Sequence, residues 1–292
     1  MQSAPSKPNN PLLNRFVIQA LAICSSILIF VYIAFLVFKG KDAYHQAQFD
    51  AFLLINSLSD LWPLFWLNIT QLGDAAILIP LLSFLVIYLP KAWITLFVAA
   101  PLAGIVSYIG KKTLSMPRPA AVIDQSSFNI VGDTLTGHNS LPSGHTITVF
   151  VATTIVVGAF LAKKNGLSKN IAMLCISGGI CLAAGISRIT VGAHWPLDVL
   201  TGAMIGIWLG ILSLLITTKY PRLWGWLSNP KHSYIFGAIL LLWSLVLFKD
   251  IYTSSDTLLA ISLASPLAGL LTSVCLFKQY YNFRVTMTPH IH

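Results

Sequence analysis

Apolar runs long enough to cross a lipid bilayer recur along most of this chain. A helix needs roughly 17 to 25 mainly apolar residues to span the hydrocarbon core, and it satisfies its own backbone hydrogen bonds there. Of the 292 residues, 56% are hydrophobic and only 9% are charged, which is far from the balance of a soluble domain. The sequence therefore predicts an all-α, polytopic transmembrane helical bundle. The eight predicted spans cover residues 16–38, 75–89, 92–110, 146–162, 170–186, 198–217, 234–248 and 257–277.

The charged residues divide unequally between the two ends of the predicted spans. The net charge is +9, but the cations are spread along the loops, so we expect no nucleic-acid partner. If the N-terminus is cytoplasmic, eleven of the 18 Lys and Arg residues lie inside, which agrees with the positive-inside rule. All nine acidic residues are aspartates, and all fall on the outer side. This pattern predicts a multi-pass protein of the cytoplasmic (inner) membrane, with its outer loops in the periplasm of a bacterium.

Three polar segments interrupt the apolar runs, and all three fall on the predicted outer side. The segments cover residues 111–119, 142–145 and 187–198. Together they supply three cations, two histidines and a carboxylate, namely Lys111, Arg118, Arg188, His145, His194 and Asp198. Cations suit the oxygens of a phosphoryl group, one histidine can attack phosphorus, and the other can protonate the departing oxygen. The set indicates phosphatase chemistry.

The polar segments resemble the signature of the type 2 phosphatidic acid phosphatase (PAP2) family, which reads K-x6-R-P, P-S-G-H and S-R-x5-H-x3-D. Every fixed position is matched in order, in Lys111–Pro119, Pro142–His145 and Ser187–Asp198. The resemblance covers about residues 50 to 217. It implies a six-helix membrane core and an enzyme that removes phosphate from a lipid through a phosphohistidine.

Five residues are predicted to bind the phosphoryl group. Arg118 and Arg188 offer planar donor forks that fit phosphate oxygens in pairs, and Lys111 adds a compact charge on a flexible stem. Ser143 can add a hydroxyl donor. Gly144 lets the backbone at the start of the following helix approach the anion closely.

The resemblance also implies roles for the remaining motif residues, with His145 as the general acid and His194 as the nucleophile. Asp198 would hold the imidazole tautomer and stabilise its positive charge. Its reach to His194 follows from helical spacing if the helix includes that histidine, and otherwise from local turn geometry. Lys112 is out of register with the family lysine and is interpreted as an interfacial lysine. His138 matches no family position and is interpreted as an exposed loop residue.

Metal binding is the rival use of two histidines and an aspartate, because these side chains could hold zinc. Three neighbouring cations would repel a divalent ion, and they already supply the charge stabilisation that a metal gives. We therefore expect metal-independent catalysis without a cofactor.

The spans and the resemblance divide the chain into three parts. Residues 1–15 are predicted to form a cytoplasmic tail, 16–217 the PAP2-like catalytic domain, and 218–292 a C-terminal transmembrane helix pair with its tail. Residues 49–73 indicate a helix in the membrane interface, which either borders a lipid entrance or serves as a simple anchor. The polar loop over 111–145 is either a lid or a connection between spans.

The preferred function is hydrolysis of a lipid phosphate at the outer face of the membrane. Polyprenyl pyrophosphate, phosphatidylglycerophosphate, phosphatidate and lipid A are all candidate substrates. One alternative is transfer of the phosphoryl group to a second lipid, because the same phosphohistidine could meet either acceptor. Another is an anion transporter or channel, because ionisable residues at membrane depth also mark permeation routes. The sequence does not indicate an oligomeric state.

Overall fold

The structure is a computed structural model that describes residues 27–28, 30–163, 165–253 and 259–287. The regular structure in these ranges is entirely helical, as predicted. The predicted tail at 1–15 lies outside the described residues. The chain divides into two units, Met1–Ala47 and Gln48–His292.

Two helices make up the described part of the first unit, α1 (Phe30–Lys39) and α2 (Lys41–Gln46). Gly40 joins them with φ at 111°, a conformation that glycine adopts without the steric cost of a Cβ. The predicted span at 16–38 is described only from residue 27 onward.

The second unit begins with a broken helix pair. Its halves are α3 (Phe49–Asn56), which continues as a 3₁₀ turn to Asp60, and α4 (Pro63–Thr70), which continues to Gly73. The two halves are bent by 110° relative to each other. Both α3 and α4 pack against the later helix Leu167–Thr190, which carries part of the third polar segment. The predicted single helix over 49–73 is therefore two helices with a sharp bend.

The predicted span at 75–89 is also broken. It forms α5 (Ala75–Leu81) and α6 (Leu85–Tyr88), with Pro80 inside the first of these helices. The helix ends one residue after Pro80, at Leu81, and resumes at Leu85. The count of eight spans is not confirmed, because the described residues contain six helices that could cross a membrane, or up to seven if the bent pair counts as one.

Six long apolar helices complete the bundle, with the short α11 (Pro221–Trp224) between the fourth and fifth. They are α7 (Pro90–Leu114), α8 (Gly144–Leu161), α9 (Leu167–Thr190), α10 (Pro196–Lys219), α12 (Ser233–Thr253) and α13 (Ala260–Met287). All three polar segments lie where α7 and α9 end and where α8 and α10 begin, which we call the site end. The opposite end is where α7 begins and α13 finishes.

Glycines at every fourth position allow α10 to pack closely against α8. A Cβ at Gly202 would lie 2.7 Å from the carbonyl oxygen of Ser143, and one at Gly206 would lie 2.6 Å from the Cβ of Phe150. Small residues with this spacing let two helix backbones approach in a membrane. The close packing brings the start of α8 beside the start of α10, where the Ser143 amide donates to the Asp198 carbonyl at 3.1 Å.

The C-terminal helices α12 and α13 pack against each other, and α13 also packs against α5. Two hydroxyl groups link α13 to the α5–α6 region: Ser265 donates to the Ile77 carbonyl at 2.6 Å, and Ser83 donates to Thr272 at 2.9 Å. The C-terminal pair is thus attached to the rest of the second unit through α5.

Candidate active site

The fold brings the three polar segments together at the site end. The Arg118 guanidinium donates to the Ala193 carbonyl at 3.0 Å, and its Nη1 lies 3.5 Å from Nε2 of His194. The indole of Trp195 donates to the Pro117 carbonyl at 3.0 Å. These bonds join the first segment to the third. The segment that starts α8 is joined to the third segment by the Ser143–Asp198 backbone bond described above.

A turn before α10 builds the contact between His194 and Asp198. The helix begins at Pro196, so His194 precedes it, and the turn is closed by the amides of Ala193 and His194 donating to the Arg188 carbonyl. Nδ1 of His194 then lies 3.3 Å from Oδ2 of Asp198. Both side chains are buried. Local turn geometry, rather than helical spacing, therefore brings the two residues together.

Asp198 is held in place by two further donors. Its Oδ2 accepts from the backbone amide of Trp195 at 2.9 Å and from the hydroxyl of Ser140 at 2.5 Å. The Ser140 hydroxyl also lies 3.3 Å from Nδ1 of His194. With Nδ1 directed at this cluster, Nε2 of His194 faces the Arg118 side of the site.

The surroundings of His194 favour its neutral form. Burial lowers the pKa of His194 well below its ordinary value, and the positive charges of Arg118, Arg188 and Lys111 lower the pKa further. A neutral imidazole that keeps its proton on Nδ1, next to the carboxylate, leaves a lone pair on Nε2. Such a ring can act as a nucleophile.

Two buried arginines lie near His194 and are positioned by neutral partners. Nε of Arg118 donates to the side chain of Asn139 at 2.8 Å, and Nη1 of Arg188 donates to Thr70 at 2.5 Å. Nε of Arg188 is buried and has no hydrogen-bond partner among the described residues. A buried donor without a partner is costly. A bound anion would satisfy it.

Lys111 and His145 lie on the wall of a cavity of about 450 Å³, and both interact electrostatically with Arg118 and Arg188. Gly144 permits the close approach of Lys111 to the start of α8. A Cβ at this position would lie 3.0 Å from the Ser107 hydroxyl and 3.4 Å from Nζ of Lys111. Gly73 is required in the same way, because its Cβ would clash with the ring of His145.

Ser143 occupies the N-cap of α8 and is fully buried. Its hydroxyl oxygen accepts from the hydroxyl of Thr146 at 2.9 Å and, more weakly, from the Thr146 amide at 3.4 Å. The predicted helix start at this motif is confirmed. The Ser143 hydroxyl supports the helix, and its contact with phosphate stays a prediction.

Two basic residues near the motifs lie apart from the cavity. Lys112 is exposed, and its ammonium lies 5.7 Å from the centre of the Tyr108 ring. His138 is also exposed. The loop over 111–145 is partly built into the site, because Met116, Arg118 and Ser140 are all buried.

Four polar residues that support the site were missed from the sequence: Asn56, Thr70, Asn139 and Ser140. Asn56 donates to the carbonyls of Ile189 and Thr190, at 3.2 and 3.0 Å, and so secures the end of α9 next to Arg188. The available signal was the presence of Asn56 and Thr70 in mainly apolar helices, where polar side chains usually have a specific partner.

The remaining lining of the cavity is mainly apolar and follows one face of α7 and α8 away from the site end. It includes Leu96, Ala100 and Gly104 of α7 and Val151 of α8. Leu78, Ile79 and Leu82 close the other side. The site thus combines a cationic end with an apolar groove.

The described residues contain no group of three or more His, Cys, Asp or Glu side chains arranged to hold a metal ion. His194 and Asp198 are in contact, but three cations surround them. The donor set therefore suits an anion better than a divalent cation.

Comparison with known proteins identifies the family. A sequence profile of the PAP2 superfamily matches residues 92–222. The crystal structure of Aquifex aeolicus LpxE is 31% identical, and the match covers 58% of this chain and 95% of that chain with a TM-score of 0.50.

Two curated relatives are also similar. A lipid A 1-phosphatase of Rhizobium johnstonii is 31% identical over 127 residues, which cover 42% of this chain and 47% of the relative. The match therefore spans only about half the length of that protein. An undecaprenyl-diphosphatase of Sulfolobus acidocaldarius is 29% identical over 161 residues, which cover 52% of this chain and 69% of the relative. Together with the six long apolar helices, these matches show that the chain is a multi-pass membrane protein of the PAP2 superfamily.

Proposed function

We propose that this protein is a membrane lipid phosphatase that hydrolyses a phosphomonoester or pyrophosphate of a lipid through a phosphohistidine at His194. The observation that carries the proposal is that the buried His194 and Arg188 lie within electrostatic range of His145, which lines an apolar groove. Nε of Arg188 has no hydrogen-bond partner among the described residues. This arrangement can hold a phosphoryl group at one end and a hydrocarbon chain at the other.

In the first step, Nε2 of His194 attacks phosphorus while the bond from phosphorus to the leaving oxygen breaks. His145 donates its proton to that oxygen, so the lipid leaves as a neutral alcohol, or as a lipid phosphate if the substrate is a pyrophosphate. Lys111, Arg118 and Arg188 stabilise the charge on the non-reacting oxygens. Asp198 stabilises the positive charge that develops on the His194 ring.

In the second step, water attacks the phosphohistidine. His145 now accepts the proton from water, the phosphorus–nitrogen bond breaks, and inorganic phosphate leaves. His194 and His145 return to their starting states. Because the three cations supply the charge stabilisation, the cycle requires no metal ion.

The relatives and the groove support a lipid substrate. The Rhizobium relative is named for lipid A and the Sulfolobus relative for undecaprenyl diphosphate, and both substrates join a phosphate to long hydrocarbon chains. Phosphatidate and phosphatidylglycerophosphate share this chemistry. The groove lies between α5, α7 and α8, so a chain could enter it from the hydrocarbon layer.

We also propose that the site faces the periplasm from the inner membrane. The support is the charge asymmetry of the second unit, since every described aspartate there lies toward the site end and most of its described basic residues outside the motifs lie at the opposite end. Residues 16–217 would form the catalytic domain, and 218–292 an added helix pair.

Phosphate release tests the function. Purified protein is assayed against polyprenyl pyrophosphate, phosphatidylglycerophosphate, phosphatidate and lipid A, and at least one should release phosphate after treatment with a chelator. His194→Ala should abolish turnover while keeping the melting temperature of the wild type. Folded wild-type protein that releases no phosphate from any of the four substrates would contradict the proposal.

Phosphate-labelled substrate in mixed lipid vesicles distinguishes hydrolysis from transfer to a second lipid. Hydrolysis puts the label in free phosphate, whereas transfer puts it on a new lipid.

A further inference from the structure

A second cavity, of about 540 Å³, lies at the opposite end of the bundle. Its walls come from α6, the first turns of α7, the segment before α12 with the start of that helix, and the C-terminal part of α13. Trp93 of α7 is on its wall, and Lys111 follows 18 positions later in the same helix. At about 1.5 Å per helical residue, the two lie about 27 Å apart, close to the thickness of the hydrocarbon core. The second cavity is therefore separate from the catalytic site.

The lining of this cavity is amphipathic. One part is apolar and includes Ile87, Ile94, Phe236 and Leu276. The other part is polar and includes Asn229, Lys278, Gln279 and Asn282. The cavity lies between helices that are apolar enough to cross a membrane, so an occupant with a hydrocarbon chain and a polar head could enter from the bilayer.

Trp93 gives independent support for a ligand at this position. The side chain is only 3% exposed, and its indole N–H has no hydrogen-bond partner among the described residues. A buried indole N–H normally finds an acceptor. An acceptor in the cavity would satisfy this donor.

The positive charge at this end of the bundle favours an anionic ligand. Every described aspartate of the second unit lies toward the site end, so none offsets the basic residues here. Those residues are Lys91, Lys163, Lys169, Lys219, Arg222, Lys231, Lys278 and Arg284. Among them, only Lys278 lines the cavity.

We propose that this cavity binds an anionic phospholipid from the leaflet opposite the active site, with its phosphate near Lys278 and the Trp93 indole and its chain along the apolar wall. The lipid would join α12 and α13, which lie beyond the stretch that matches the PAP2 profile, to α6 and α7. It would stabilise the folded protein, because a ligand that binds only the native state raises its stability. The site does not depend on the proposed phosphatase activity.

Native mass spectrometry of the purified protein tests the site. Wild-type protein is titrated with dioleoyl phosphatidylglycerol or dioleoyl phosphatidylcholine, and phosphatidylglycerol should bind more tightly and raise the melting temperature more. Lys278→Gln should weaken phosphatidylglycerol binding about fivefold, the value of one surface cation near a lipid phosphate. Trp93→Phe removes the indole N–H but keeps an aromatic ring, and should also weaken binding.

Lys169→Gln is the matched control, because Lys169 is an exposed lysine in the first turns of α9, at the same end but outside the cavity. It should bind phosphatidylglycerol as the wild type does. If phosphatidylglycerol were bound in the catalytic groove instead, the Lys278→Gln variant would bind it as tightly as the wild type does. The proposal is overturned if the wild type shows no preference for the anionic lipid, if Lys278→Gln keeps that preference, or if Lys169→Gln loses as much as Lys278→Gln.

Discussion

Two adjacent lysines at the end of α7 occupy different surroundings. Lys111 lines the cavity beside His145, whereas Lys112 is exposed and lies over the Tyr108 ring. Successive residues of a helix point in different directions, so only one of the pair can face the site. The lysine that fits the family motif K-x6-R-P, Lys111, is also the one that lines the cavity.

Replacing each lysine by alanine separates their roles. A hydrogen bond to a charged group contributes roughly 1.5 to 3 kcal/mol, so Lys111→Ala should lower kcat/KM at least about tenfold. Lys112→Ala should lower it less than about twofold, because an exposed charge contributes little. The comparison is made with one lipid phosphate under one salt condition. Equal losses in the two variants would mean that Lys111 has no special contact with phosphate.

The low pKa of His194 predicts a particular pH dependence. Attack on phosphorus requires the neutral ring, and burial and the neighbouring cations lower its pKa from the ordinary value of 6.5. The acidic limb of kcat/KM should therefore lie below pH 6.5. The same shift means that the folded state loses stability as pH falls below 6.5, because the unfolded chain binds that proton more readily.

Asp198→Asn provides the matched comparison for the pH profile, because the titration of the substrate is the same for both proteins. Removing the carboxylate that lies 3.3 Å from Nδ1 takes away a negative charge that favours the protonated ring. The pKa of His194 should fall further, and the acidic limb should move to lower pH while turnover drops. If the acidic limb of the profile stays in place or moves to higher pH, a group other than His194 controls it.

At the scale of elements, the structure shows why the sequence predicted the motif residues better than their supports. Each motif carries its own register, and the helix starts at Gly144 and Pro196 follow from local cap and proline signals. The bond from Arg188 to Thr70 instead joins residues 118 positions apart. No local pattern identifies such a partner. The break between Leu81 and Leu85 was likewise not evident in a run that is almost entirely apolar.

The close packing of α8 and α10 could be tested through Gly206. An alanine Cβ there would lie 2.6 Å from the Cβ of Phe150 and 2.9 Å from the Ile147 carbonyl, so the two helices must separate. Overpacking of this kind costs about 1 to 3 kcal/mol. Gly206→Ala should lower the free energy of unfolding by that amount and reduce turnover, because the starts of both helices carry site residues.

Gly178→Ala is the control for this change, since a Cβ at Gly178 of α9 meets nothing within 4 Å. It should leave turnover unchanged and stabilise the helix slightly. Reversible unfolding in mixed micelles, read by far-ultraviolet circular dichroism, measures both variants. Similar stability of the two would show that the α8–α10 contact tolerates a side chain.

At the scale of the whole molecule, the two ends differ in both charge and architecture. In the second unit, every described aspartate lies toward the site end with the converging motif residues, and the opposite end holds a surface of cations with an amphipathic cavity. A bilayer with anionic lipid on its cytoplasmic face would hold the opposite end inside. The same asymmetry therefore accounts for the proposed orientation and for the proposed lipid site.

Labelling of single cysteines tests that orientation. After the four native cysteines are replaced, Ser126→Cys in the loop at the site end should react with an impermeant thiol reagent in intact spheroplasts. Ser168→Cys, at the start of α9, should react only after the membrane is opened. Both serines are exposed, so access to the reagent differs only by the side of the membrane. The reversed pattern would place His145 and His194 in the cytoplasm, and it would also move the proposed anionic lipid site to the outer leaflet, since both assignments depend on the same topology.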